Sequence, residues 1–299
     1  MIQSFLPMLA VAAEPFDSPE YLFEVKWNGI RALAARDGGP WRLWGRDRAA
    51  YQVRYPELDV LQKLPAGTVL DGEIVQFQGG LPDLDALLGR HSLACPRSIR
   101  ALSRQSPVSY VVFDALYEKG RCLFGQPLEA RRASAEQLVR KLDERRVVFS
   151  AGVEGRGRVF FEEAVRRGQE GVMAKHRASR YLPGRRSATW KKIKPVHSLS
   201  GVIFGFRPGR TGFRSLFVAA LRQGSLRYVA HLRVGFSDSV RRTLRTLLAQ
   251  RVRAAPVVAC PERGVWVEPD LYCRVRFLEW TPGGRLRGAS FAGLVHPSG

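Results

Sequence analysis

The sequence predicts an α+β chain in two parts, a mixed domain with antiparallel sheets over residues 1–196 and a small β-barrel domain over residues 197–299. In the first part, β-like runs alternate with a few helical ones, and Gly- or Pro-rich turns separate them. The pattern changes near Pro195, beyond which short strands follow one another with a single helix among them. A chain of 299 residues has enough material for about two domains of ordinary size.

Strands are predicted in the first part wherever apolar, β-branched and aromatic residues cluster between turn residues. These runs are Phe23–Lys26, Ala32–Arg36, Trp41–Trp44, Val69–Phe77, Tyr110–Leu116 and Gly171–Lys175. The spacing of apolar residues predicts helices over Leu84–Leu88, Leu128–Leu142 and Arg158–Arg167. Pro127 favours a helix start, and Gly168 favours a helix end.

Strands dominate the second part, at Val202–Phe206, Leu216–Leu221, Leu226–His231 and Tyr272–Trp280. One helix is predicted over Ser239–Ala249, after the capping residues Ser237 and Asp238. About five strands with one helix in roughly 100 residues indicate a closed barrel of the OB type.

The charge of the chain indicates a polyanionic partner. Its 48 Lys and Arg residues against 27 Asp and Glu residues give a net charge of +21. Residues 197–299 hold 16 arginines, no lysine and 5 acidic residues, so this part carries +11 and the first part carries +10. Nucleic acid is therefore the leading partner. The alternative is an arginine-rich composition unrelated to binding.

The cysteines and the apolar runs indicate the cellular compartment in which the protein is expected. Cys95, Cys122, Cys260 and Cys273 lie far apart without C-x-x-C spacing, so neither a zinc site nor a disulfide framework is predicted. The apolar run Leu6–Ala13 is short and lacks a basic leader, which argues against a signal peptide. No stretch approaches the ~20 apolar residues of a membrane span. The sequence predicts a soluble protein of a reducing compartment.

The most informative segment is Glu24–Arg31, because it presents Lys26 between a strand and a turn. A lysine has an ordinary pKa near 10.4 and becomes a nucleophile only where desolvation or nearby positive charge favours the neutral amine. Gly29 would let the backbone come close to a ligand. Arg31 could hold a phosphate or ribose oxygen through its fork of donors. On its own, the segment is equally compatible with a hairpin that carries an exposed lysine.

Two carboxylates elsewhere suit a metal ion held partly by nucleotide phosphates. Glu73 lies in the strand pattern Val69–Val75, and Glu170 lies at the start of another strand, Glu170–Lys175. Asp71–Gly72, directly before Glu73, is also typical of an ordinary turn, which requires no metal-binding role for this segment. The sequence leaves both readings open at this point.

An aromatic residue and two lysines complete the candidate set. Phe113, in Tyr110–Asp114, could stack on a base, and Lys192 and Lys194 alternate onto one face of a strand in Trp190–Lys194. Alone, the first is explained as a core residue and the lysines as a solvated charge run. Together with Lys26 and the carboxylates, they favour a site for nucleotidyl transfer.

These motifs resemble those of the ATP-dependent DNA ligases of the covalent nucleotidyltransferase superfamily, especially the compact bacterial ligases of the end-joining type. Glu24–Arg31 resembles the nucleophile motif of that family, and Arg46 resembles the arginine that follows it. Five further segments resemble the later motifs of the family and follow in the family's order: Asp71–Val75, Tyr110–Asp114, Glu170–Lys175, Trp190–Lys194 and Glu279–Arg287. One residue departs from the family: Asn28 stands where Asp is usual. Asn keeps the turn and an acceptor oxygen but removes a negative charge beside Lys26.

The resemblance implies a fold, a nucleotidyltransferase (adenylation) domain at 1–196 followed by an OB-fold domain at 197–299, and a reaction in three steps. Lys26 attacks the α-phosphate of ATP, the AMP passes to a 5′-phosphate at a DNA nick, and the 3′-hydroxyl displaces AMP. The implied cofactors are ATP and Mg²⁺ (or Mn²⁺), and the implied partner is nicked duplex DNA.

The resemblance also implies residue roles. The ATP-binding residues would be Glu24, Arg31, Arg46, Glu73, Phe113, Lys192 and Lys194. The metal ligands would be Glu73 and Glu170, and contacts to pyrophosphate, or alternatively to DNA, would come from Arg285 and Arg287.

Other functions share this lysine chemistry or this fold. An RNA ligase and a capping-type guanylyltransferase are the enzymatic alternatives, and a catalytically weak DNA-binding relative is the alternative of another class. Further expectations are a monomer in the bacterial cytoplasm or nucleoid, with other end-joining or repair proteins as further partners.

Overall fold

The computed structural model describes residues 4–210, 212–281 and 283–295. The ends of the predicted domains at residues 1 and 299, and Pro282 of the predicted last motif, lie outside the described residues. The chain divides into two compact units, one up to Lys194 and one from Pro195 onward.

The first unit contains twelve strands and four α-helices among its described residues. The first six strands are β1 (Leu9–Ala12), β2 (Ser18–Val25), β3 (Ile30–Arg36), β4 (Arg42–Trp44), β5 (Thr68–Gln78) and β6 (Leu81–Pro82). The other six are β7 (Val108–Glu118), β8 (Arg121–Cys122), β9 (Val147–Phe149), β10 (Gly152–Gly155), β11 (Val172–His176) and β12 (Arg186–Ile193). The helices are α1 (Leu84–His91), α2 (Pro96–Gln105), α3 (Leu128–Leu142) and α4 (Gly157–Arg166), with 3₁₀ turns at Gln52–Arg54 and Pro56–Lys63.

Two sheets organise this unit. One has the order β4-β3-β5-β7-β8, with β6 beside β5 and β9 beside β7, and the other has the order β1-β12-β11-β2-β10. All strand pairs are antiparallel except β1 with β12 and β7 with β9. The predicted antiparallel character is confirmed.

Strand β3 shows why the larger sheet is buried on both faces. Because successive side chains of a strand point to opposite faces, Ala32 and Ala34 enter one apolar cluster and Leu33 and Ala35 enter another. All four are fully or almost fully buried. The sheet therefore provides a rigid support for the residues at its ends.

The second unit is antiparallel throughout its described strands. The strands and the helix are β13 (His197–Gly209), β14 (Gly212–Arg222), β15 (Ser225–Leu232), α5 (Asp238–Ala249), β16 (Val252–Arg253), β17 (Val265–Phe277), β18 (Glu279–Trp280), β19 (Leu286–Arg287) and β20 (Ser290–Val295). The main sheet has the order β15-β14-β13-β17-β16, with β20 beside β17, and β18 pairs with β19 alone. The predicted cap of α5 is present, since the Ser237 hydroxyl accepts from the Val240 N–H at 3.3 Å.

The structure corrects one predicted strand and adds a helix. The run Tyr272–Trp280 is not one strand, because β17 ends at Phe277 and the chain then pairs with β19, starting at the Leu278 N–H, which donates to the Arg287 carbonyl at 3.0 Å. Helix α2 was not predicted. Among the described residues, no helix is long and apolar enough to cross a membrane.

Candidate active site

Lys26 lies directly after the last residue of β2, beside β11. Its backbone N–H donates to the Gly171 carbonyl at 2.9 Å, which fixes the end of the strand. The side chain lines a cavity of about 140 Å³ and is 21% exposed. Its Nζ forms an ion pair with Glu170, whose other oxygen pairs with Lys194. One carboxylate thus holds two ammonium groups at the mouth of the site.

Gly29 has a structural role that differs from the predicted approach to a ligand. A Cβ built at this position would lie 2.2 Å from the carbonyl oxygen of Ile74 and 2.8 Å from the Glu73 side chain. Because real Cβ atoms are not found at such distances, the turn after Lys26 can pack against β5 only with glycine here.

Glu24 is the most buried acidic side chain that lines the cavity, at 1% exposure. It accepts from Arg132 Nη1 at 2.6 Å and forms an ion pair with Lys175. Arg132 also donates to the carbonyls of Phe113 at 3.2 Å and Ser150 at 2.7 Å. Burial lowers the pKa of Lys175 to about 8, although Glu24 opposes this shift. Arg132 and Lys175 hold the Glu24 carboxylate in place, and the sequence predicted neither of these basic partners.

Arg31 is held by a carboxylate on β5. Its Nε and Nη2 donate to the two oxygens of Asp71, each at 2.6 Å, and the Tyr181 hydroxyl donates to the same carboxylate at 2.7 Å. The guanidinium donors of Arg31, which the sequence analysis assigned to a phosphate or ribose oxygen, are therefore partly engaged by Asp71. Arg31 also lines the cavity, and these bonds use two of its five N–H groups.

Phe113 is buried, and two cations lie over its ring. Arg31 Cζ is 4.4 Å and Lys175 Nζ is 3.9 Å from the ring centroid. Trp190 packs edge-on against the same ring at 6.5 Å. Phe113 does line the cavity, as predicted for a residue that contacts a base, but a base would have to share the ring with these cations.

Glu73 is a carboxyl of the cavity whose pKa is shifted by its surroundings. Burial raises its pKa to about 7, and Asp71 adds to the rise, whereas Arg31, Lys26 and Arg46 oppose it. A neighbouring cation would favour the ionised form, so this carboxyl is suited to a divalent ion.

The predicted metal ligands are compatible with an ion that takes most of its ligands from elsewhere. Both Glu73 and Glu170 lie near Lys26. No group of three or more His, Cys, Asp or Glu side chains that could hold an ion occurs in the described part of the chain. Mg²⁺ keeps waters and substrate phosphates among its ligands, so two carboxylates fit it.

Arg46 and Lys192 line the same cavity. Arg46 lies on a turn that Asp47 holds by accepting from the Tyr51 hydroxyl at 2.8 Å and from the Ala49 N–H at 3.0 Å. Burial lowers the pKa of Lys192, and neighbouring positive charges, led by Arg186, lower it further. The structure therefore brings the first-unit candidates together, with Glu170 and Lys194 joined to them through Lys26.

The two arginines predicted in the second unit have different environments. Arg285 lines a separate cavity and its Cζ lies 3.8 Å from the centroid of the Tyr228 ring. Arg287 is exposed and forms an ion pair with Glu279 at 2.9 Å across the β18–β19 hairpin. The contacts of Arg285 and Arg287 thus differ, and the predicted contact of both with pyrophosphate or DNA stays a prediction.

The fold and the cavity beside Lys26 are those expected of a nucleotidyltransferase. The sequence matches the models of two known domains, the ATP dependent DNA ligase domain over residues 7–194 and the ATP dependent DNA ligase C terminal region over residues 209–296. The chain belongs to the family of ATP-dependent DNA ligases, a family whose enzymes use ATP and a divalent metal.

Two relatives illustrate the match. The chain is 33% identical to the multifunctional non-homologous end joining DNA repair protein LigD of Mycobacterium tuberculosis, over 96% of this chain and 38% of that protein. It is 29% identical to the SPbeta prophage-derived DNA ligase-like protein LigB of Bacillus subtilis, over 93% of this chain and 94% of that protein. The chain thus spans less than half the length of the LigD proteins that it matches.

Solved structures give the same fold. The ligase domain of M. tuberculosis LigD matches with a TM-score of 0.58 and 31% identity, covering 98% of this chain and 96% of that domain. A Lig E DNA ligase matches with a TM-score of 0.63 at 18% identity, over 97% of this chain and all of that one. The predicted fold, an adenylation domain followed by an OB-fold domain, is confirmed, as are the predicted family and enzyme class.

Proposed function

We propose that this protein seals nicks in duplex DNA through an AMP attached covalently to Lys26, and that it acts in end-joining DNA repair. The observation that carries the proposal is the position of Lys26 at the end of β2, inside a cavity lined by Glu24, Glu73 and Phe113. The name of the LigD relatives supports the repair role.

In the first step, Lys26 Nζ attacks the α-phosphate of ATP and pyrophosphate departs. The ammonium must first lose its proton, and its ion pair with Glu170 has to open for the nitrogen to reach phosphorus. Basic side chains around the cavity, Arg46 and Lys192, stabilise the negative charge of the phosphates. Glu73 and Glu170 would hold the divalent ion, which would supply positive charge beside the phosphates.

The base and ribose would be held by the inner end of the cavity. Glu24 supplies an acceptor fixed between Arg132 and Lys175, and Phe113 supplies an apolar ring beside it. In the second and third steps, the AMP moves to the 5′-phosphate of the nick and the 3′-hydroxyl displaces it. The net positive charge of both units favours contacts with the phosphates of DNA.

Arg285 and Arg287 would contact pyrophosphate or DNA, and Lys194 the ATP phosphates. The adenylation domain would span residues 1–196 and the OB-fold domain residues 197–299, which agrees with the matched ranges. We further propose Mg²⁺ (or Mn²⁺) as the ion, a monomer as the active form, other end-joining proteins as partners, and the bacterial cytoplasm or nucleoid as the location.

Incubation of the full chain with labelled ATP or labelled GTP tests the proposal. An adenylylated protein that then seals a nick in duplex DNA supports it, and a guanylylated protein or none at all contradicts it. Lys63→Ala is a matched control, because Lys63 is an exposed lysine far from the cavity and paired with Glu144. Replacing Mg²⁺ by Mn²⁺ after chelation identifies the ion.

A further inference from the structure

Tyr181 lies in the loop between β11 and β12, outside every segment that resembles a motif of the ligase family. Its side chain is buried, at 2% exposure. The hydroxyl donates to Asp71 Oδ2 at 2.7 Å and accepts from the Met8 N–H at 3.0 Å. One hydroxyl therefore connects this loop to β5 and to the segment that leads into β1.

The carboxylate of Asp71 is fully buried and receives donors from two side chains. Arg31 Nε donates to Oδ1 and Arg31 Nη2 donates to Oδ2, each at 2.6 Å, and the Tyr181 hydroxyl adds a third bond. The torsion that rotates an aspartate carboxylate has a broad minimum, and the bond from Tyr181 restricts it. Because the paired bonds of Arg31 follow the plane of the carboxylate, a fixed carboxylate also fixes the guanidinium.

The Tyr181 ring is held independently of its hydroxyl. It stacks on Phe124 with 5.6 Å between the ring centroids, and Trp190 packs edge-on against it at 5.9 Å. The Tyr181 backbone N–H donates to the Phe124 carbonyl at 2.9 Å, and the Arg131 guanidinium lies 5.7 Å from the ring centroid. Replacement by phenylalanine therefore removes one hydrogen-bonding group and leaves the packing of the ring in place.

The Tyr181 hydroxyl keeps its proton near neutral pH and acts as a donor to Asp71. Burial raises the pKa of Tyr181 well above its ordinary value, and the charge of Asp71 raises it further, whereas Arg31 opposes the rise. The Met8 N–H occupies an acceptor position of the hydroxyl oxygen, so the proton is left for Asp71. The bond from Tyr181 to Asp71 therefore has a fixed direction.

We propose that Tyr181 is a positioning residue for the reaction with ATP: it orients the Asp71 carboxylate and thereby sets the plane of the Arg31 guanidinium. The inference rests on the proposed function, which places ATP in the cavity that Arg31 lines. A guanidinium donates to a phosphate or ribose oxygen through N–H groups that lie in its plane. A rotated plane therefore weakens the contact with the nucleotide although the charge of Arg31 is unchanged.

A matched pair of variants of the full chain tests the proposal. Tyr181→Phe removes the hydroxyl that bonds to Asp71. Tyr55→Phe removes another fully buried hydroxyl, which shares a hydrogen bond with His91 Nδ1 at 2.8 Å. Tyr55 is not among the described residues that line the ATP cavity. Urea denaturation measures the stability of both variants, so that an effect of the lost hydroxyl on the fold alone is seen in each.

The NMR signal of the Arg31 Nε–H reports the position of this side chain without any turnover, and its absence in Arg31→Lys assigns it. We expect the Nε proton to exchange with water about tenfold faster in Tyr181→Phe and less than about twofold faster in Tyr55→Phe. Single-turnover formation of lysyl-AMP at limiting ATP should fall by about tenfold in Tyr181→Phe alone. Unchanged Nε exchange overturns the inference, and so does faster exchange without a loss of lysyl-AMP formation, or the same change in both variants.

The outcome is separable from that of the proposed function. If the parent protein forms no lysyl-AMP from ATP, the proposed function fails, and the exchange of the Nε proton still shows whether Tyr181 orients Arg31. If the parent protein forms lysyl-AMP and Tyr181→Phe matches Tyr55→Phe in both measurements, only the inference about Tyr181 fails.

Discussion

Replacing Glu73 by Gln probes how the cavity changes the titration of a carboxyl. The pKa of Glu73 is raised, chiefly by burial, to about 7, from an ordinary value of 4.5 that we assign to the unfolded chain. Between these values the unfolded chain releases the proton first. The contribution of Glu73 to stability therefore falls as the pH rises from about 4.5 to about 7 and is constant above that.

The size of the effect follows from the shift. A difference of about 2.5 pKa units corresponds to about 3.4 kcal/mol at most. Since the side chain lines a cavity that solvent reaches, we expect about 1–2 kcal/mol. Glu73→Gln has nearly the same shape and no titration, so it should match the parent protein near pH 5 and be more stable by this amount at pH 8.

Urea denaturation of both proteins at several values of pH measures the difference in the free energy of unfolding. Glu162→Gln, at an exposed position of α4, is the control for the loss of one carboxylate. A difference between Glu73→Gln and the parent protein that does not change between pH 5 and pH 8 would refute the reasoning.

The same carboxyl links pH to activity. If its ionised form holds the divalent ion, formation of lysyl-AMP in the parent protein should increase as the pH rises through about 7. Glu73→Gln should be slow at every pH while remaining folded. Single-turnover adenylylation across this range is the measurement.

Three further predictions concern Lys26, its neighbour Asn28 and Arg132, the partner of Glu24. Lys26→Ala should abolish AMP attachment because it removes the nucleophile, and Lys26→Arg should do so because arginine stays charged. Both variants should keep the fold. An AMP adduct on Lys26→Ala, seen by intact mass spectrometry, would place the nucleophile elsewhere. Asn28→Asp should preserve or raise the rate of adenylylation, and a loss of more than about tenfold, roughly 1.4 kcal/mol of barrier, would show that Asn28 is tuned to this site. Arg132→Met should destabilise the protein by about 3 kcal/mol, because it leaves the buried Glu24 with Lys175 as its one remaining basic partner; a loss below about 1 kcal/mol by urea denaturation would contradict this.

The secondary structure of the site was largely predictable because its signals are local. Helix α3 has the predicted bounds, since Pro127 starts it and apolar residues follow at helical spacing. Helix α2 was missed because it buries only Ile99 and has just one other large aliphatic side chain, Leu102. Its sequence therefore has no apolar stripe of useful length.

The composition of the site was predictable, but its internal pairing was not. The motif order places Lys26, Glu73 and Phe113 in one cavity, as the structure shows. The pairing of Arg132 with Glu24 joins residues 108 positions apart, and no local pattern records such a contact. The alternation of residues along a strand predicts on which face each side chain lies, but it does not predict which residue each charged side chain pairs with.

Ion pairing decides which basic groups can meet a phosphate. The resemblance implies the same contact for Arg285 and Arg287, yet Glu279 pairs with Arg287, and no carboxylate is among the described residues that line the cavity of Arg285. In the other unit, Lys26 shares Glu170 with Lys194, so a single carboxylate balances two ammonium groups. An arriving triphosphate brings several negative charges and can replace Glu170 as the partner of both lysines. Lys26 is thus paired with Glu170 before ATP binds, and the arriving nucleotide opens that ion pair, after which the ammonium must still lose its proton before it can attack.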